Sequence, residues 1–418
     1  MRITSAPEGS TTRAVFHAWP LFLAMGLIML GNGMQSTLVA VRATLEGFPP
    51  AVTGFVMSGY FVGFLLGSTL APKLMWQVGH VRVYAGLASL ASTATLAHLL
   101  IINPIAWGFF RIVTGFCLAG LYIVAESWLN GASTNQNRGK LLSIYMLTFS
   151  VAMAGSQGLL SLGEASGFQL FIGASVLVSL AVVPMSLTPT TAPRFEEPSG
   201  VPLRALFRAA PLGMTAAAVT GVSNGALLSG GPVYGTQAGM SFSRVGLFIG
   251  VGLIGQMVLQ LPIGALSDRM TRRIVILGLT TVAAGAAGIA VALDPLGGAF
   301  LVAAFVFGGM SYPRYSVSIS HVNDVVPADR LVAASAAMIM VNGLGAIFGP
   351  ILGTAAVGIF GPRGFWVSLA VVHGTLGVFA AYRLVVRPKL PISEKRKYIP
   401  MPSRATLAAH RLLRERTP

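Results

Sequence analysis

The sequence predicts an all-α, polytopic membrane protein with twelve transmembrane helices in two six-helix repeats. Of its 418 residues, 54% are hydrophobic and only 10% are charged, whereas soluble chains carry about 25% charge. Its apolar runs are about 20 residues long, enough to cross a hydrocarbon core of about 30 Å as helices, and they lack the alternation of transmembrane strands. Finally, the 28 lysines and arginines are sorted by side. With the amino end in the cytoplasm, Arg42, Arg111, Arg244 and Arg363 fall at the outer side and Arg314 falls inside a span. The rest lie on cytoplasmic segments, as the positive-inside rule requires. The net charge of +16 therefore marks topology. No nucleic-acid-binding module is present to use it.

Taken in order, apolar runs bounded by charge, proline or glycine place the first six helices near Met29, Phe61, Ser92, Phe116, Val151 and Leu177. The second six centre near Val222, Leu253, Gly285, Met310, Asn342 and Leu376. The first run, 18–39, is too long and lacks the exit of a cleavable signal, so it reads as an uncleaved span. Residues 1–187 then form one six-helix bundle and 210–386 the other. The proline- and charge-rich stretch 188–209, with Glu196, Glu197, Arg204 and Arg208, is a cytoplasmic linker. Residues 387–418 form a basic cytoplasmic tail, in which 404–416 mixes leucine and arginine as an interfacial helix does; a solvated, unstructured tail is the alternative.

Several helices carry small residues every fourth position, as in Gly59, Gly63 and Gly67 or Gly345, Gly349 and Gly353. This spacing lets helices touch backbone to backbone in lipid. The halves also align. A shift of 193 places Tyr122 on Tyr315, Ser127 on Ser320 and Asn130 on Asn323, and one of 192 places Arg138 on Arg330, which supports duplication.

The stretch 264–273, Gly-Ala-Leu-Ser-Asp-Arg-Met-Thr-Arg-Arg, packs charge between two apolar spans. A plain basic loop with its arginines among lipid headgroups is one reading. Its Gly-x-x-x-Asp-Arg core resembles the loop motif of the major facilitator superfamily, Gly-x-x-x-Asp-Arg-x-Gly-Arg-Arg, with Thr271 in the place of the second glycine. A first-half counterpart, aligned by shifting Gly67 onto Gly264, has Ala71 in place of Asp268. Glu-Ser-Trp-Leu-Asn at 126–130 and His-x-Asn-Asp at 321–324 resemble a poorly characterised bacterial branch of that superfamily.

That resemblance implies a secondary active transporter that opens a central site alternately to either side, in the inner membrane with both termini cytoplasmic. It implies no enzyme activity. The single cysteine, Cys117, lies in an apolar helix, and His80, His98, His321 and His373 show no metal-ligand spacing, so no disulfide, metal or cofactor is expected. A small-molecule substrate, protons and the lipid bilayer are the expected partners, and the protein is expected to act as a monomer.

Polar side chains at membrane depth must face protein or a water-filled cavity. Asn32, Gln35, Asn224, Gln256, Gln260 and Asn342 are thus candidate substrate contacts, joined by Tyr60, Tyr122, Tyr145, Tyr312 and Tyr315 and by the charged Arg314. Inter-helix hydrogen bonding is the competing role for each. Arg314 lies inside helix ten and Glu126 near the inner end of helix four, within reach of an internal ion pair. Glu126 is the candidate for proton coupling; holding an inter-helix contact is its alternative. Arg111 reads either as a headgroup anchor or as a family Arg-x-x-x-Gly motif.

The amide and tyrosine set suits a neutral or zwitterionic, planar solute; riboflavin would fit. Uptake is preferred over drug efflux because helix five, Ala-Gly-Ser-Gln-Gly at 154–158, lacks the Gly-Pro of antiporters. A sensor or assembly factor on the same fold is the further alternative. The expected gate comprises Gly264, Asp268, Arg269, Arg272, Arg273 and Asp329, with Asp268 meeting the start of helix five and Asp329 serving the other half.

Overall fold

A computed structural model describes residues 18–131, 133–134, 137–187, 203–327, 330–386 and 398. The expectations for Asp329, for most of the linker and for a tail helix at 404–416 lie outside these residues.

The described chain is helical throughout. In the first half the spans are α1 (Trp19–Leu45), α2 (Pro50–Val78), α3 (His80–Leu100), α4 (Pro104–Gly131), α5 (Arg138–Gly158) and α6 (Gln169–Leu180, extended by Val182–Ser186). A short helix, Leu203–Ala209, then meets α7 (Pro211–Gln237) at a bend of 113°. The remaining spans are α8 (Phe242–Arg269), α9 (Arg272–Ala292), α10 (Gly298–Ser311, continued by Arg314–Val325), α11 (Leu331–Phe360) and α12 (Arg363–Val386). Ten of these are long and apolar enough to cross a membrane as single helices, and α7 taken together with Leu203–Ala209 makes an eleventh. α10 completes the twelve. It breaks at Tyr312 and Pro313, and its second segment carries Arg314, three serines, His321, Asn323 and Asp324. No apolar window marks such a segment, and only burial in protein permits it.

Local chemistry sets the ends. Proline stands at the first turn of α2 and α7, where its missing N–H costs nothing. Asn103 accepts from the N–H groups of Ile105 and Ala106 at 2.9 and 3.2 Å, capping α4. Ser241 does the same for Arg244 N–H at the start of α8.

The duplication is visible in the backbone. Trp19 and Pro211, Pro50 and Phe242, and His80 and Arg272 begin equivalent spans 192 residues apart. Gly47 and Gly239, also 192 apart, both have φ of 78°, the left-handed turn conformation that glycine adopts freely. In this register Asp268 corresponds to Trp76, and Ala71 is not its counterpart. The repeat is fixed by helix ends, which a five-residue slip would misalign by more than a full turn.

Close glycine contacts pack the spans. An added Cβ on Gly63 would lie 1.9 Å from Ile112 O, and one on Gly115 1.9 Å from Tyr60 O, so α2 and α4 touch main chain to main chain. Gly221 and Gly345 bring α7 and α11 equally close. Between the halves, Ser58 donates to Ile347 O at 2.7 Å, Gly54 abuts Thr354, and Gly246 abuts Gln157 O. Gly54, Gly246 and their partners lie toward one end of the spans, here the far face. The opposite, basic face carries the α8–α9 turn and Tyr398.

Candidate functional site

Midway along α1, Asn32 is flanked by Gly31 and Gly33, which bring α1 against α6 and α5. Its Nδ2 donates to Tyr60 Oη at 3.3 Å and to Tyr122 Oη at 3.4 Å, gathering α1, α2 and α4. Tyr122 Oη in turn lies 3.4 Å from Met29 Sδ. The edges of Phe64 and Phe149 meet the Tyr122 ring at centroid distances of 5.7 and 6.2 Å. Asn32 Oδ1 and, one turn further along α1, Gln35 Nε2 are buried without hydrogen-bond partners. Buried polar atoms in folded proteins are almost always satisfied.

Arg111 stands 4.7 Å over the Tyr60 ring, a cation–π contact, and is fully buried. That overturns its role as a headgroup anchor, because α3 and α6 enclose the start of α4 with His98 and Phe171. Toward the basic face, Tyr145 Oη donates to Glu126 Oε1 at 3.1 Å, and Glu126 is 1% exposed.

The second half repeats the pattern on different atoms. Asn224, at the position of Asn32 under the 192 shift, also has a buried Oδ1 without a partner, and so does the Tyr315 hydroxyl opposite Tyr122 in the repeat. Next to Asn224, α7 loosens into a π-helical turn, Ala226–Gly230, a feature frequent at functional sites. Gln260 donates to Ser316 Oγ at 3.4 Å. Asn342 spends its amide on Ala217 O at 3.0 Å, the packing role. Gln256 is partly buried and Tyr312 is buried.

Arg314 and Glu126 do not meet. Arg314 is fully buried inside the second half. It donates through Nε to Thr220 Oγ1 at 3.1 Å and through Nη1 to Thr280 Oγ1 at 3.4 Å, and Nη1 lies 2.8 Å from His373 Nδ1. His373 Nε2 is 2.8 Å from Ser223 Oγ. The break in α10 aims Arg314 among α7, α9 and α12, away from the first half. An alignment along two helix axes carries no information about which way each side chain turns.

The motif residues also differ from expectation. Arg272 and Arg273 are buried, at 2% and 8% exposure, and do not lie among headgroups. Arg272 Nε pairs with Asp324 Oδ2 at 2.6 Å, tying α9 to the end of α10 within one half. Asp268 is exposed, and its Oδ1 accepts from the backbone N–H of Tyr398 at 2.8 Å. It does not cap α5, whose first turns expose Lys140 and Ser143. Arg269 is exposed.

Sequence reasoning passed over four residues of weight. His373 and His98 are polar groups at membrane depth, and the rule that selects Asn32 selects them too. Asp324 is paired although it stands at a helix end. Gln157 accepts from Thr37 Oγ1 at 2.8 Å and donates to Gly33 O at 3.2 Å, locking α5 to α1. No His, Cys, Asp or Glu group among the described residues is arranged to hold a metal ion.

Comparison with known proteins fits this geometry. The family model of the Major Facilitator Superfamily matches residues 21–255 and 237–416. The chain belongs to that superfamily. It is thus a multi-pass membrane protein of a transporter family. An uncharacterized MFS-type transporter of Yersinia enterocolitica is 29% identical over 343 residues, covering 79% of this chain and 86% of that protein. One of Enterobacter sp. strain 638 is 30% identical with the same coverage. Among solved structures, the nucleoside transporter NupG superposes with a TM-score of 0.71 at 16% identity, over 88% of this chain and 98% of that one. An inward-facing, occupied bacterial homologue of the human lysosomal transporter Spinster gives 0.67 at 20%, over 90% and 97%.

Breaking the motif's ion pair gives a direct check. Asp324→Asn leaves Arg272 buried without its carboxylate and should cost about 3 kcal/mol. The thermal unfolding midpoint should fall by several degrees, read by fluorescence-detected size exclusion. An unchanged midpoint would show that the pair carries no stability.

Proposed function

We propose that the protein is a secondary active transporter that moves a planar, hydrogen-bonding organic solute through a site between Asn32 and Asn224, driven by protons through Glu126. The supporting observation is the pair of buried, unpartnered amide atoms on Asn32, which holds Tyr60 and Tyr122, and on Gln35, together with the unpartnered Asn224 amide oxygen and Tyr315 hydroxyl in the other half. A scaffold gains nothing from unmet polar groups at membrane depth, each costing about 1–3 kcal/mol. A ligand with donors, acceptors and a π face would satisfy them and stack on the tyrosines. Nucleosides, the cargo named for NupG, and flavins both have this chemistry.

We assign the basic face to the cytoplasm by the positive-inside rule, and we read the close contacts of Gly54 and Gly246 near the far face, with Asp268, Lys140 and Ser143 exposed on the basic face, as the arrangement of an inward-open state. Two six-helix bundles, 1–187 and 210–386, would rock about the central site as a monomer in the inner membrane.

Proteoliposomes preloaded with unlabelled compound test the reading: counterflow of a labelled nucleoside or of riboflavin is expected, lost in Asn32→Ala and enhanced by a proton gradient. Binding unaltered by Asn32→Ala would remove the site. The direction of net flux under an imposed gradient separates uptake from efflux, and no flux for any planar solute would favour a sensor.

Glu126→Gln keeps the acceptor for Tyr145 but carries no proton. Exchange of solute should persist while accumulation against a gradient falls to background. Gradient-driven accumulation at the parent level would assign Glu126 to packing.

A further inference from the structure

Gln260, Gly264 and Asp268 recur every fourth residue on α8 and so form one stripe along the helix. Tyr398, twelve residues beyond the last residue of α12, lies along that stripe. Its backbone N–H donates to Asp268 Oδ1 at 2.8 Å. Its ring covers Gly264, where an added Cβ would come within 2.5 Å of Cε1 and 2.7 Å of Cδ1. Apolar residues of α7, α8, α9 and α10, among them Leu212, Ile263, Val275 and Val317, form the cluster against which the ring packs. The hydroxyl oxygen is buried, and Gln260 and Ser316 are the side chains beside it. Burial pushes that hydroxyl up to about 12, so the phenol enters as a neutral group.

Three features make this a fitted seat. All three nearest atoms to an added Cβ at Gly264 belong to Tyr398, so the missing side chain leaves the room that this ring fills. Asp268, the acid of the loop motif, is engaged by the Tyr398 backbone N–H. Gln260 donates to Ser316 Oγ at 3.4 Å beside the buried end of the ring.

We propose that this stripe is a docking site for the protein's own Tyr398, and that the docked tyrosine is an inhibitor that holds the basic-face mouth open. Closing that mouth requires the ends of α5 and α8 to approach, and a tyrosine seated on Gly264 and Asp268 occupies the surface that must close. Release of Tyr398 then permits closure, and its docking sets how often the transporter turns over. The gating role rests on the alternating-access reading above, whereas the docking does not.

Two readouts on the full chain in nanodiscs separate them. For docking, 3-fluorotyrosine at position 398 reports by ¹⁹F resonance how strongly a soluble gadolinium chelate broadens the ring. The parent ring should be shielded, and Gly264→Ala should raise the broadening on the order of threefold or more by emptying the seat. For gating, Ser143→Cys in a Cys117→Ser background is labelled by a water-soluble maleimide. Tyr398→Ala and Gly264→Ala should both slow labelling by a similar factor as the mouth closes more often, while Tyr398→Phe, which keeps the ring, should match the parent. Equal broadening in parent and Gly264→Ala would overturn docking. Docking that is lost without any change in labelling would overturn the inhibitory role and leave the transport reading untouched. Since Gly264→Ala alone could alter α8, agreement with Tyr398→Ala is the required result.

Discussion

Arg314→Met is expected to fold at least as well as the parent and to lose function. Arg314 is fully buried, and its partners are Thr220, Thr280 and His373, none of them an acid. A buried cation without an anion bears a desolvation cost of several kcal/mol that neutral hydrogen bonds only partly offset. Methionine fills similar volume with no charge. Both threonine hydroxyls keep a main-chain acceptor, Ala216 O for Thr220 and His373 O for Thr280. The loss is confined to the donor at His373 Nδ1, about 1 kcal/mol. Exchanges of buried ionic groups for apolar ones are often neutral or stabilising by about 1–4 kcal/mol. The unfolding midpoint should therefore hold or rise. Counterflow in proteoliposomes should nevertheless fall at least tenfold, because a costly cation with no structural return persists for what it does when the bundle moves. A Met variant that melts well below the parent, or one that transports at the parent rate, would show that Arg314 serves packing alone.

The twelve spans could be read from the sequence because length and apolarity report directly on crossing a membrane, and every expected centre falls inside a helix. Even so, apolarity marks only the first part of α10, Gly298–Ser311, since Arg314–Val325 is too polar for an apolarity test to find. The internal repeat was legible from a few tyrosines, serines and asparagines. Its register at the loop motif was not, because glycine matches there are common enough to align by accident.

The site was legible as a set of residue types and not as an arrangement. Polarity at membrane depth selects Asn32, Tyr60, Tyr122 and Asn224, and α1, α2 and α4 bring the first three together. It cannot tell an amide facing a cavity from one bonded to a neighbouring helix, and Asn342 proves to be the second kind. Side-chain direction decided Arg314, which differs from Glu126 by a turn or so along the axis but points into a different bundle. Tyr398 carries no local signal, because its seat is built by Gly264, a residue more than a hundred positions earlier.

Gly63→Val should be the most damaging single change to the fold. The α2–α4 contact is main chain against main chain: an added Cβ at Gly63 would sit 1.9 Å from Ile112 O and 2.7 Å from its carbonyl carbon. Neither atom can rotate away, unlike the end of a flexible side chain, so the helices must separate. Separation removes the contacts that Gly59 and Gly67 make with Gly108 O and Phe116 O on the same face, and pulls Tyr60 from Asn32 and from Arg111. In lipid, dispersion between closely packed backbones supplies much of the helix association. Overpacking alone costs about 1–3 kcal/mol, and the loss of the neighbouring contacts adds to it. The expected outcome is a lower midpoint and a smaller monodisperse peak in size exclusion, together with loss of any solute-induced thermal shift because Tyr60 has moved. Gly285→Val is the matched control, since nothing lies within 4 Å of an added Cβ there. Equal midpoints for the two variants would mean that α2 and α4 are not held by backbone contact.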